Sequence, residues 1–364
     1  MNYCENIRYR ICIAEKAAFP AMVDYLLAQL PGDECILRLA FFGTPPSNKE
    51  YLKRHSLLKE KTAARFGDRE PAWSYVSQPP LHAPLLMEVH SISADEIGKI
   101  VYKRFQNKPY TLLENPEGRF LFAGGFQSDI NVSIEQQSVE VFRRIEELLK
   151  HEHFPIHSII RQWNYIEQIS CFSNGNQHYQ SFNNARSDFY AQTLWPKGYP
   201  AATGIGTNLG GVLVDLDAAV FTSPDTFVTA VDNPLQIAAH AYSEKVLEAN
   251  RTKKETPKFE RAKSITSGNR RLVYISGTAA IRGEESLKEA GLERQLHITM
   301  ENIAQLTGKA QPVMFRVYLK NKEAYATAQR LMNAYHQHTI PISYMCADIC
   351  RDELLIEIEG IAIE

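Results

Sequence analysis

The stretch that most constrains this chain is its ending, Leu354-Leu355-Ile356-Glu357-Ile358-Glu359-Gly360-Ile361-Ala362-Ile363. Apolar and acidic residues alternate there, the period of a strand with one buried face. Leu85–Ile92 and Val212–Val220 carry a related pattern, and a proline precedes all three. Pro71 lies 17 positions before Glu88, Pro200 lies 15 before Asp215, and Pro341 lies 16 before Glu357. A strand that recurs at one offset marks repeated structural units. Glu88, Asp215 and Glu357 are therefore expected at equivalent places in three copies.

The second and third copies share a longer order: strand, glycine turn, amphipathic helix, strand with an arginine (Arg161, Arg316), helix, proline, strand, acidic-alternating strand. Ser133-Ile134-Glu135-Gln136 reads as a capping box opening one of these helices. The first copy matches only at its end and reads as degenerate. This order predicts an α+β fold of tandem units, each a mixed sheet with two helices on one face. The uncovered faces must pack somewhere, and three units can pack around a pseudo-threefold axis as a pseudo-trimer within one chain. The expected boundaries are 1–112, 113–249 and 272–364. Residues 250–271, basic and poor in large apolar residues, read as a solvated linker or lid loop that could close over an anion. A helix is expected near Pro234–Glu248.

Composition excludes some classes. A net charge of −2 leaves no footprint for nucleic acid. No apolar run is long enough to span a bilayer, and the start lacks a basic segment followed by an apolar one. The six cysteines are irregularly spaced without Cys-x-x-Cys, which reads as free thiols in a cytoplasmic protein. His151, His153 and His157 lack a supporting ligand pattern, so no metal is expected.

Ile275-Ser276-Gly277, Glu301-Asn302-Ile303 and Ile356–Ala362 resemble the RidA/YjgF fold, whose members form trimers with sites between subunits. Its imine-deaminating members carry an arginine after a proline-alanine pair. Trp73, Ala202 and Ser343 stand at those places here, which argues against deamination. A longer set of motifs is similar to the chorismatase family. These are Arg161-Gln162-Trp163-Asn164-Tyr165, Tyr179–Arg186, Pro200–Gly206, Gly277-Thr278-Ala279 and Ala347-Asp348-Ile349-Cys350-Arg351, followed by the Glu357 strand.

That resemblance implies release of pyruvate from chorismate with no cofactor. It implies Glu357 as general acid and Cys350 as the residue that directs the product to 3-hydroxybenzoate. A smaller apolar residue at that place goes with a dihydrodiol. Formation of 4-hydroxybenzoate or the dihydrodiol, or non-catalytic binding of a small molecule on a RidA-like scaffold, stay as alternatives.

The residues suit that chemistry in part. A general acid must hold its proton near neutral pH, which an apolar setting favours. Glu357 lies between two isoleucines, with Glu359 as its competitor on the same face. Cys350, seven positions earlier, is expected beside it on a neighbouring antiparallel strand, although a free cysteine is more often a small core residue. Arg161 and Arg186 are candidates for the two carboxylates of the substrate. Trp163 and Tyr165 share a face with Arg161 by alternation and are expected to form a ring-binding wall. Tyr179 is a hydrogen-bond donor candidate and Ala279 a pocket floor. The chain is expected to be a monomer or a loose homo-oligomer, with its active cleft lined by the last copy.

Overall fold

The computed structural model describes residues 3–93, 98–243, 254–335 and 340–364. The first unit holds β1 (Ile7–Ala14), α1 (Phe19–Ala28), β2 (Glu34–Gly43), α2 (Asn48–Phe66), β3 (Ala72–Val76) and β4 (Leu85–Ser93). The second holds β5 (Lys99–Phe105), β6 (Lys108–Asn115), β7 (Gly118–Gln127), α3 (Ile134–His151), β8 (Ile159–Glu167), α4 (His178–Tyr190), β9 (Ala201–Thr207) and β10 (Val212–Phe221). The third holds β11 (Thr226–Val231), β12 (Ala262–Ser267), β13 (Arg270–Ala279), α5 (Leu292–Thr307), β14 (Gln311–Leu319), α6 (Tyr325–Tyr335), β15 (Ile342–Cys346) and β16 (Ile356–Ile363).

Sheet order confirms the repeat. The second sheet runs β9-β8-β10-β7-β6-β5 and the third β15-β14-β16-β13-β12-β11, the same topology strand for strand. The first runs β3-β2-β4-β1 and lacks only the leading hairpin. It is thus a complete repeat of the common core rather than a degenerate one. The first boundary also moves. Strands β5 and β6 pair into the second sheet, so the first unit ends at Ser93 rather than near residue 112.

In each unit two helices cover one sheet face. Helix α3 opens with the expected reciprocal capping box of Ser133 and Gln136, and buries Val141, Phe142, Ile145 and Leu149. They join Phe182 and Phe189 of α4 over Leu121, Val214 and Leu216 of the sheet. Truncating a core phenylalanine such as Phe142 to alanine costs about 3–5 kcal/mol. The opposite faces meet at the centre. One shared core joins Leu37, Phe122, Ile160, Leu272 and Met314, and another joins Phe42, Trp163, Tyr165, Tyr318 and Met345. Each draws on all three units.

Ladder register fixes the pseudo-symmetry. Arg38 stands opposite His90, Arg161 opposite Asp217 and Arg316 opposite Glu359. Two residues along, Ala40 faces Glu88, Trp163 faces Asp215 and Tyr318 faces Glu357. The three acids are therefore equivalent, as their spacing predicts, and Arg38 completes a set of three arginines.

These arginines link the units cyclically. Arg38 pairs with Asp217, Arg161 with Glu359 and Arg316 with Glu88, all buried. Desolvation offsets much of the Coulombic gain of such pairs. Their arrangement joins unit one to two, two to three and three to one.

Two expectations fail between the second and third units. Among the described residues, 233–243 form a turn with a short 3-10 helix at Ala239–Ala241, not the helix expected near Pro234–Glu248. Its backbone pairs with Gly283, through Ile237 N–H to the Gly283 carbonyl (2.8 Å) and Gly283 N–H to the Leu235 carbonyl (2.9 Å). Residues 244–253, which include the last part of that expected helix and the start of the expected linker, lie outside the described residues. The rest of the expected solvated linker contains β12, paired on both sides. Lys263 reads as a solvated charge, but it is buried and donates to the carbonyls of Lys197, Gly198 and Tyr199 at 2.6, 2.7 and 3.0 Å. No helix among the described residues is long and apolar enough to cross a membrane.

Candidate active site

A cavity of about 620 Å³ opens between the second and third units. Its wall draws on three segments. Tyr179, Gln180 and Asn183 come from α4 and Ala202 and Gly204 from β9; Tyr242, Phe259 and Arg261 precede β12; Gly277, Ala279, Cys350, Arg351 and Glu357 come from the third unit. Exposed Phe172 stands at its edge. The last copy lines the cleft, as expected.

Edge strand β9 assembles the site. The loop after β15 is sewn to it by an Ile205–Ile349 bridge and by Gly206 N–H to the Asp348 carbonyl at 2.8 Å. That attachment brings Cys350 to the cavity wall. Cys350 lies in the β15–β16 loop, not on a strand antiparallel to β16 as expected, because β14 intervenes between those two strands. At its other end β9 meets Glu260 through a parallel bridge from Ala201, which leads Arg261 into the wall. Glycine is needed twice for close approach. A Cβ on Gly204 would stand 2.7 Å from the Tyr179 ring, and one on Gly277 would stand 2.0 Å from Glu357 Oε1.

Glu357 is 5% exposed, and among the described residues no hydrogen bond or ion pair holds its carboxyl. Burial, with Glu359 two residues away adding to it, pushes the acid up to about 8. It therefore keeps its proton at neutral pH. Burial, with nearby Glu357 adding to it, pushes the Cys350 thiol up to about 12. Cys350 is a neutral thiol rather than an activated nucleophile. Burial likewise raises Tyr179, which keeps its phenolic proton.

The competing Glu359 is fully occupied. It accepts from Arg161, Thr203 and Tyr318 and pairs with Arg316 at 2.7 Å.

Two guanidiniums reach the wall without a carboxylate partner among the described residues. Arg261 donates to the Ile237 carbonyl and the Tyr242 hydroxyl. Arg351 donates to the Glu284 carbonyl (2.8 Å) and Ser286 (3.1 Å). Both guanidiniums lie over the Tyr242 ring, at 5.3 and 5.2 Å from its centroid.

Glu357, Cys350, Tyr179 and Ala279 are thus brought together as expected. Arg161, Trp163 and Tyr165 share one face but point to the axis. Arg161 is spent on Glu359, Trp163 is sandwiched by Arg38 and Arg161, and the Tyr165 hydroxyl accepts from Arg316. Arg186 sits behind the wall, bonded to Asn183 at 2.6 Å and packed against Phe259. Neither Arg161 nor Arg186 lines the cavity; the guanidiniums that do are those of Arg261 and Arg351. Arg261 belongs to the basic run, and Arg351 follows Cys350 directly, so both had a local signal.

Residues 104–217 match the family model described as chorismatase FkbO/Hyg5-like, N-terminal. Over that stretch the chain is similar to the chorismatases. A 3-hydroxybenzoate synthase of Streptomyces hygroscopicus is 28% identical over 58% of this chain and 65% of its own length. A chorismatase of Streptomyces rapamycinicus is 28% identical over 56% of this chain and 64% of its own. The matched stretch is therefore less than two thirds of either relative. A crystal structure of a chorismatase superposes over 98% of both chains with a TM-score of 0.70 at 19% identity, so the chorismatase fold holds throughout.

Proposed function

We propose that this protein is an enzyme of chorismatase type, releasing pyruvate from chorismate to give 3-hydroxybenzoate in the cleft between its second and third units. The observation that carries the reading is Glu357, a buried, donor-free acid that keeps its proton at neutral pH, facing two uncompensated guanidiniums. Chorismate offers a dianion to Arg261 and Arg351, and charge-assisted pairing orients it. Glu357 then protonates the methylene carbon of the enolpyruvyl ether. The oxocarbenium ion that forms weakens the bond from ring carbon to ether oxygen.

Pyruvate leaves as the neighbouring ring hydroxyl oxygen closes onto the vacated carbon. The hydroxyl proton returns to Glu357, and ring opening with aromatisation gives the hydroxybenzoate. Chorismate is consumed and pyruvate and hydroxybenzoate appear one for one, with no water used. Cys350, a neutral thiol on the same wall, is suited to donate to that hydroxyl oxygen and exclude water from it.

Purified protein incubated with chorismate should release equal amounts of pyruvate and 3-hydroxybenzoate. Folded protein that leaves chorismate unchanged would sink the reading. Cys350→Ala should raise the share of dihydrodiol, the product of attack by water. An unchanged product ratio would remove Cys350 from its role.

A further inference from the structure

The junction between the first and second units is a built-in control for the candidate site. There Asp215 takes the place of Glu357, and three donors approach it. Ser74 Oγ donates at 2.7 Å, Gly125 N–H donates at 2.7 Å, and Arg38 lies at 3.7 Å. Ser74 faces Ala40 on β2, two residues past Arg38; Thr203 faces Trp163 on β8, two residues past Arg161. Thr203 is thus the counterpart of Ser74, placed to donate to Glu357. It does not. Its hydroxyl donates to Glu359 and accepts from Arg161 (2.7 Å) and from Gly277 N–H (3.0 Å).

The cause lies in the neighbouring strand. A β-bulge leaves two residues opposite one and re-aims the N–H groups around it. In the second unit the bulge, Gly124–Gly125, lies opposite Asp215. In the third it lies two residues further along the acidic strand, with Ser276–Gly277 opposite Glu359. The displaced bulge carries its N–H to Thr203, and Thr203 carries it to Glu359.

We infer that Thr203 is a positioning residue: its hydroxyl takes up the Gly277 N–H and is itself turned to Glu359, and so the carboxyl of Glu357 is left without either donor. Hydrogen bonds to a carboxylate favour its charged form, and their removal favours the acid. The remaining groups around Glu357 are Glu359 on its own strand, Tyr318 opposite it on β14, Arg161 on β8, Arg261 before β12, Tyr179 on α4, and Cys350 with Arg351 in the loop. None of them is hydrogen-bonded to it. Loss of the Thr203 hydroxyl frees the N–H of Gly277, a residue on which a Cβ would stand 2.0 Å from Glu357 Oε1.

The consequence for turnover rests on the chorismate reading; the protonation of Glu357 does not. The test is therefore a carbon-13 NMR titration of the full chain labelled at glutamate side chains, with the Glu357 resonance assigned by its loss in Glu357→Gln. Parent protein should titrate near 8. Thr203→Val should move the midpoint down by about one pH unit or more, and Thr203→Ser should restore it. The alkaline limb of kcat/KM for chorismate should move with it.

An unshifted midpoint in folded Thr203→Val would overturn the assignment, as would a parent Glu357 that titrates in the ordinary carboxylate range. Should the valine variant not fold, Thr203→Ala answers the same question by the same criterion. A parent that titrates as expected yet releases no pyruvate would count against the chorismate reading alone.

Discussion

Asp215 and Glu357 stand at matching register positions in two copies of one sheet, each at the junction with the preceding unit. Around Asp215 the junction is closed by Ser74, the Gly125 N–H and Arg38. Around Glu357 it is open; the Thr203 hydroxyl donates to Glu359 instead, and the Gly277 N–H donates to Thr203. Glu88, the third member, is held by Arg316 and by Ser343 at 2.6 Å. One fold position thus yields two anchored carboxylates and one that faces a cavity. A carboxyl needs little sequence change to become an acid catalyst; it needs its hydrogen-bond donors taken away and its burial kept.

The contrast can be broken most sharply at Glu357 itself. Glu357→Gln keeps the shape and removes the proton, so pyruvate release should fall by about 100-fold or more, with chorismate binding retained by calorimetry. A variant that still turns over at near the parent rate would move the acid elsewhere.

The anchored positions should fail in stability. Arg316→Met leaves Glu88 buried without its cation and should lower unfolding free energy by about 3–5 kcal/mol in urea titrations. A loss under 1 kcal/mol would mean that the axial pairs are not acting as the joints between units.

The cations of the open cleft come next. Arg261→Ala or Arg351→Ala should each raise KM for chorismate by about 10–100-fold, the worth of one hydrogen bond to a charged group. Arg161→Ala should act mainly on stability, because its guanidinium is spent at the axis.

A further effect is on the pH dependence of folding. Glu357 is raised from 4.5 to about 8, so the folded state binds its proton more tightly than the unfolded state. Its contribution is full below about 4.5 and is lost as pH rises through about 8. Urea titrations between pH 5 and 9 should show that decline in the parent and a flatter course in Glu357→Gln. Parallel curves would place the Glu357 pKa in the ordinary range.

Several parts of this site are local and so were legible in the sequence. The strand period put Glu357 between two buried isoleucines, and a single short loop carries Cys350 into the same wall. The Arg161–Trp163–Tyr165 face was legible as a face, but alternation does not say where on that face a residue ends up. The inner face of each sheet serves both the axis and a cleft. Arg161 went to the axis because Glu359, 198 positions away, waits there. Lys263 and Arg261 were misread for a related reason. A charged run reads as solvated, yet here carbonyls, a hydroxyl and aromatic rings from distant segments take the place of water.

The sequence by itself determined the repeat, the α+β units and the equivalence of Glu88, Asp215 and Glu357, because a strand's pattern and the spacing of its turns are properties of contiguous residues. Tertiary structure alone decided which of the three acids is left without a hydrogen-bond donor. That depends on where a bulge falls in the neighbouring strand and on which unit's hydroxyl and guanidinium reach the carboxyl first. Those donors come from parts of the chain that meet only when the three units close around their axis.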